Sequence, residues 1–262
     1  MRNFTHLFFS VCAALVLAGC DNGKDDPTPA SQAMTGNLVG FVSPVNEFGN
    51  PLPKSGVAVT LEGTTPQVTA TTDANGRYEF TALRAGTYNI AFSRADVSPY
   101  KRLSIAHVGG EQPTFAYTSM LTQPSSTRIS NLYVSQSYYG SGVVNLNFTI
   151  ANSNMLPNNT SYVYNYLDYV VYVGTTPTVS STTGIWYRNM RMGASISGSS
   201  SNSNVQLTRP DLNGHGLVSG STAYVVLYPA PEAYLTTVDP ATGRTSFSGL
   251  GQPSAVIPFV VP

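Results

Sequence analysis

Between residues 36 and 118 apolar and polar side chains alternate in short runs. Val57, Val59 and Leu61 are separated by Ala58 and Thr60; Tyr78 and Phe80 alternate with Arg77 and Glu79; Tyr88, Ile90 and Phe92 alternate with Asn89 and Ala91. Successive side chains of an extended chain point to opposite faces, so each run predicts a strand with one face in a core. The gaps carry Gly49-Asn50-Pro51, Glu62-Gly63, Asn75-Gly76 and Ala85-Gly86, residue types that favour turn conformations. No segment carries a helical repeat of useful length.

After a short polar connector, 121–127 (LTQPSST), the style shifts toward Tyr and Ser. Val144, Leu146, Phe148 and Ile150 alternate with Asn145, Asn147 and Thr149, a half-buried strand. Tyr169–Val173 is a continuous apolar run closed by Gly174-Thr175-Thr176-Pro177, Tyr224–Tyr228 is another closed by Pro229, and Val256–Val261 contains Pro258, which favours a sheet edge. Serine-rich 193–204 (GASISGSSSNSN) reads as a mobile loop before a Val205–Leu207 strand. The expected fold class is all-β: two consecutive antiparallel β-sandwiches, over residues 36–119 and 125–262.

The first segment resembles the carboxypeptidase regulatory-like domain. The residues that carry the likeness are Gly36-x-x-x-Gly40-x-Val42, Gly49-Asn50-Pro51-Leu52-Pro53, Gly56-Val57-x-Val59-x-Leu61, Thr72-Asp73-Ala74-Asn75-Gly76-Arg77-Tyr78-x-Phe80 and Leu83-x-x-Gly86-x-Tyr88, in that order. The resemblance implies a small transthyretin-like sandwich that accompanies catalytic domains without being one, and the zinc peptidase portion has no counterpart here. Residues 217–226 resemble the strand leading into the tyrosine corner of a fibronectin type III domain, with Tyr224 as the corner residue. The early-strand Trp of that family is replaced, Phe148 standing nearest to its place.

The chain begins MRNFTHLFFSVCAALVLAGC. Its apolar run is too short to span a bilayer and ends in small residues, as a cleaved export signal does. Taking residues 1–19 as that signal leaves one cysteine, Cys20, at the new N-terminus with no disulfide partner. The arrangement resembles a bacterial lipoprotein signal, which implies lipid (palmitate among its chains) on Cys20 and the membrane as a partner. Residues 20–35, polar and Pro-containing, read as a flexible tether. Lys24-Asp25-Asp26 resembles the Lys/Asp-rich export signal of Bacteroidetes-type surface lipoproteins, so the expected location is the outer membrane, facing outward.

Composition narrows the chemistry. Charged residues are 10% of the chain and net charge is zero, which removes the electrostatic footprint of a nucleic-acid binder. The stretch Asp73-Ala74-Asn75-Gly76-Arg77-Tyr78 fails as a calcium loop: counting from Asp73, position five is Arg77 and position twelve is Arg84, where oxygen ligands are required. It fails as a phosphate cradle because a strand follows it. Asp73, Asn75 and Gly76 therefore read as a structural hairpin turn. His107 and His215 have no metal-ligand spacing, so no metal or cofactor is expected.

Binding is the remaining chemistry. Tyr138, Tyr139, Tyr162, Tyr164, Tyr166, Trp186 and Tyr187 concentrate aromatic area in the second segment, with Tyr162, Tyr164 and Tyr166 on one face of an extended chain. Such residues stack on sugars or pack on proteins; they are also ordinary sheet formers, and both readings stay open here. The expected function is a non-catalytic, lipid-anchored binding or adhesion module for a glycan or protein partner. The alternatives are a structural stalk or assembly subunit, and a secreted hydrolase using His215 or a pair among Asp168, Asp211, Glu232 and Asp239.

Overall fold

The alternating runs become strands, and the chain has little else. In order they are β1 (Thr35–Val45), β2 (Ala58–Glu62), β3 (Val68–Thr71), β4 (Arg77–Arg84), β5 (Gly86–Arg94), β6 (Val97–His107), β7 (Thr114–Phe115) and β8 (Ser119–Thr122). There follow β9 (Arg128–Gln136), β10 (Val143–Ala151), β11 (Asn165–Gly174), β12 (Ile185–Ala194), β13 (Ser200–Thr208), the short helix α1 (Arg209–Gly214), β14 (Thr222–Ala230), β15 (Thr236–Val238), β16 (Thr245–Phe247) and β17 (Ile257–Val260). The structure, a computed structural model, describes residues 34–136, 142–152, 165–194, 200–232, 234–239 and 242–262. No helix among them is long and apolar enough to cross a membrane.

The first sandwich packs β4-β1-β7, with β8 also on β1, against β3-β2-β5-β6. The inward residues are those of the alternating runs: Val57, Val59 and Leu61, Tyr78 and Phe80, Ile90 and Phe92 are all buried together with Leu38, Val42 and Leu121. Tyr78 meets Phe92 edge to face across the sheets, centroids 5.7 Å apart. Each such side chain contributes about 1.5–3 kcal/mol by leaving water. Ladders here are antiparallel, except that β7 and β8 lie parallel to β1.

The second sandwich sets β13-β10-β9 against β12-β11-β14-β17. Val144, Leu146, Phe148 and Ile150 enter its core alongside Tyr169, Val171, Val173, Val225 and Leu227. Central strand β11 is covered on its other face too. There Val170 and Tyr172 pack with Val179, Val226, Tyr228, Tyr234 and Phe247 under the β15–β16 hairpin, which accounts for the unbroken apolar run. β17, with Pro258, occupies the sheet edge.

Two local expectations change, and a third gains a partner. Ser200–Asn204 is not loop: it forms the first half of β13, paired residue for residue with β10 from Ala151↔Ser200 onward. Its ladder is made of backbone, and a solvent-facing surface accepts polar side chains such as Asn202, which receives a hydrogen bond from Thr149 at 3.0 Å. The Asp73–Gly76 turn is not a hairpin between ladder partners, because β3 pairs with β2 while β4 pairs with β1; it carries the chain from one sheet to the other. The Asp73 carboxylate accepts the Asn75 and Arg77 amides at 2.8 and 2.9 Å, and Gly76 has φ +80°.

The connector is the third. Ser125 and Thr127 are buried, and so is Glu47 from the first sandwich. The Glu47 carboxylate accepts the Ser126 amide at 2.7 Å, the Ser126 hydroxyl at 2.5 Å and the Asn152 side-chain amide at 3.0 Å. Asn152 in turn donates to Thr127 Oγ1 at 2.8 Å. A hydrogen-bonded seam thus joins the sandwiches within one compact unit, Met34–Pro262.

Candidate functional site

A break in register on β12 builds the site. Val171 pairs with Arg188 while the next residue of β11, Tyr172, pairs with Trp186, so Tyr187 is the extra residue of a bulge. Bulges re-aim side chains. Tyr187 turns into the core, where its hydroxyl accepts the Thr208 amide at 3.0 Å and donates to Asp211 at 3.1 Å. Trp186 falls beside Tyr172 on the outer face and stays 39% exposed.

The β15–β16 hairpin and the 174–184 turn enclose this face into a groove of about 590 Å³. Tyr172, Trp186, Thr182, Asp239, Thr242 and Arg244 line it. Phe247 meets the Trp186 ring at 5.4 Å and Tyr234 at 5.4 Å, holding the indole from one side. Asn189 donates a side-chain hydrogen bond to the Tyr234 hydroxyl. Arg244 Nη2 donates to the Ser181 and Gly184 carbonyls at 3.1 and 2.7 Å, tying the hairpin to the turn. A Cβ on Gly184 would come within 2.7 Å of Val179, 2.8 Å of the Ser180 carbonyl and 3.1 Å of Tyr172, so only glycine lets the turn close down on the groove floor.

The Tyr172 hydroxyl is buried and has no hydrogen-bond partner among the described residues. Burial pushes its pKa up to about 12, against the pull of the Arg244 charge. At the rim the Asp239 carboxylate accepts the Thr242 hydroxyl at 2.9 Å. A second groove of about 350 Å³ lies on the far side of the hairpin, between Tyr100 and Lys101 of β6 and Thr237, Ser246 and Phe247.

The other candidates take separate places. Tyr138, Tyr139, Tyr162 and Tyr164 lie outside the described residues, and the backbone of Tyr166 pairs with Gly193 in β11. Tyr224 is a half-buried member of β14 on the hairpin side. His107 is buried between Thr114 Oγ1 (2.8 Å) and the Leu83 carbonyl (3.0 Å); a carbonyl only accepts, so Nε2 carries the proton and Nδ1 receives the Thr114 hydroxyl. His215 caps α1 and packs on Tyr187 at 5.7 Å. Asp211 sits with Tyr187 and Arg188, its pKa lowered first by hydrogen bonds from Thr208 and Tyr187 and then by the Arg188 charge. Among the described residues no three His, Cys, Asp or Glu side chains gather as metal ligands would.

The groove residues Tyr172 and Arg244 are absent from the aromatic candidates of the sequence. Tyr172 hides in a continuous apolar run, whose length is the one signal that both faces of β11 are covered. Arg244 sits in a Thr-Gly-Arg turn with no pattern to mark it.

Comparison with known proteins fits the first sandwich. Residues 37–118 match the carboxypeptidase regulatory-like domain. That family is a non-catalytic all-β module, and no enzymatic family is indicated. No curated relative matches the chain significantly. Among solved structures, a DUF3823 family protein from Bacteroides ovatus is 14% identical, with 87% of this chain and 100% of that one aligned and a TM-score of 0.32. A Bacteroides uniformis protein provisionally assigned to carbohydrate binding is 10% identical over 87% of this chain and 99% of its own, TM-score 0.28. A mutant type II cohesin–X-dockerin complex from Acetivibrio cellulolyticus is 22% identical over 33% of this chain, TM-score 0.27. The alignment spans only 56% of that last chain. Scores this low carry no argument about ligands.

Proposed function

We propose that this chain is a non-catalytic, lipid-anchored protein of the outer membrane, facing outward, that binds a glycan in the Trp186 groove of its second sandwich. The observation that carries the reading is the groove itself: a part-exposed indole held by packing, beside hydroxyls and charges presented from strands and a clamped hairpin. Aromatic faces stack on the C–H faces of sugar rings, and a few fixed polar groups around them select hydroxyl patterns. Both histidines of the folded part are committed to structural contacts, which weighs against the hydrolase alternative.

Anchoring rests on Cys20 and on the polar tether that follows it. In cells, a palmitate analogue should label the wild type and not Cys20→Ala, and the variant should leave the membrane fraction. Protease treatment of intact cells should remove the folded part without lysis. Retention on a glycan array, abolished by Trp186→Ala, supports the binding role. A wild-type protein that is retained on no glycan and co-purifies with a protein subunit would instead make it an assembly component.

A further inference from the structure

We infer that the Trp186 groove selects a carboxylate-bearing sugar, a hexuronic acid residue of a glycan, with its carboxylate on Arg244; the inference rests on the glycan-binding reading above. Four ion pairs occur among the described residues, and Arg244 is in none of them. Its guanidinium is partly buried, and its Nη2 protons go to the Ser181 and Gly184 carbonyls. A guanidinium has five N–H donors, so Nε–H and the two Nη1 protons have no acceptor among the described residues. A partly desolvated cation held in place by two carbonyls, with spare donors lining a groove, is a receptor for an anion.

The same groove supplies the other half of a uronic acid. Trp186 offers an aromatic face to a pyranose ring, and Tyr172 lies next to it as its cross-strand partner. Tyr172 lines the groove floor, and its buried hydroxyl has no hydrogen-bond partner among the described residues. Asp239 faces Arg244 across the hairpin, its amide donating to the Arg244 carbonyl at 2.9 Å; its carboxylate, already bonded to Thr242, repels a second anion but accepts sugar hydroxyls. One guanidinium beside one carboxylate fits one carboxylate per bound ring and disfavours densely charged ligands such as phosphates or sulfated chains.

The test uses the full folded chain and two matched probes, oligogalacturonides and the same oligosaccharides with every carboxyl methyl-esterified. Quenching of Trp186, the single tryptophan, reads the site directly. The free acid should bind about tenfold to a hundredfold tighter than the ester, as expected for a charge-assisted contact, and the gap should shrink with added salt. Arg244→Gln should erase the gap, while Trp186→Ala, followed by calorimetry, should weaken both probes. Because Arg244→Gln also loosens the 181–184 turn, Arg244→Lys provides a second variant. It keeps a cation at the same place, so it should retain a preference for the acid that Arg244→Gln lacks. Equal wild-type affinity for acid and ester, both lost in Trp186→Ala, would overturn the uronic-acid inference and leave glycan binding standing. Binding of neither probe or of any neutral saccharide would remove both.

Discussion

Replacing Glu47 should uncouple the two sandwiches. Its carboxylate is 6% exposed and receives three well-formed hydrogen bonds from the connector and from Asn152, which is itself 1% exposed. A hydrogen bond to a charged group is worth about 1.5–3 kcal/mol, but the three share partners and cannot be summed. Glu47→Ala removes an acceptor from the buried Asn152 side chain and from Ser126, an expected loss of about 3 kcal/mol. Glu47→Gln keeps one acceptor oxygen and sets its amide against a donor, an expected loss of about 1–2 kcal/mol. For a unit of this size each kcal/mol lowers Tm by about 2–4 °C, so the alanine variant should melt about 10 °C early. Trp186 fluorescence reports the second sandwich alone, whereas circular dichroism in the far ultraviolet reports both. The two probes should give coincident urea transitions in the wild type and separate ones in Glu47→Ala. Separate transitions in the wild type, or a Tm unmoved in Glu47→Ala, would refute the claim that the seam couples the cores.

Three further outcomes follow from particular side chains. Burial pushes the phenols of Tyr78, Tyr169 and Tyr172 up to about 12, so the unfolded chain loses these protons first as pH rises; stability should be level below about pH 10 and fall between about pH 10 and pH 12, and a urea midpoint flat across that window would contradict it. Gly76→Ala forces an L side chain to φ +80° with its Cβ 2.5 Å from the Val42 carbonyl, and should cost about 2–3 kcal/mol by chemical denaturation. Tyr187→Phe strands the Thr208 amide and removes the bond to Asp211, with an expected loss of about 1–2 kcal/mol seen as a lower Tm.

Side-chain alternation gave away which residues face inward, because that pattern is local: the inward positions expected from the Val57, Tyr78, Ile90 and Val144 runs are buried, except Tyr88, which is half-buried against the core. Pairing partners were not local. Nothing in Thr71-Thr72-Asp73 states that β3 and β4 belong to opposite sheets, since a turn sequence fixes the bend and long-range packing decides the ladder. The Ser200–Asn204 half of β13 was hidden because an edge strand with a polar outer face needs no apolar signature beyond Val205 and Leu207. Glu47 and Arg244 were hidden for a related reason. A buried or half-buried charge is defined by the donors and acceptors that converge on it from distant segments, and its own neighbours in sequence are those of an exposed turn. Trp186 and Tyr187 show the middle case: the sequence marked both as aromatic candidates, and only the bulge between Val171 and Tyr172 separates the one that faces the groove from the one that fills the core.

The hairpin that closes the groove lies between the second sandwich and the first. β15 and β16 are three residues each, too short to persist alone in water. Their order comes from what holds them: Phe247 on Trp186 and Tyr234 on one side, Arg244 on the 181–184 carbonyls, and the Ser248 amide on the Leu235 carbonyl at 2.8 Å. Asp239 lines both the Trp186 groove and the groove against β6, and Phe247, which packs on Trp186, lines the latter. The first sandwich thus backs the wall that the ligand would press on, and Thr122, at its last strand, meets Ser248 at 3.4 Å just beyond that wall. A groove wall ordered before binding spares the ligand the entropy of ordering it. On the proposed glycan-binding reading, the first sandwich would contribute to affinity without touching the sugar, through the rigidity of a seam centred on Glu47.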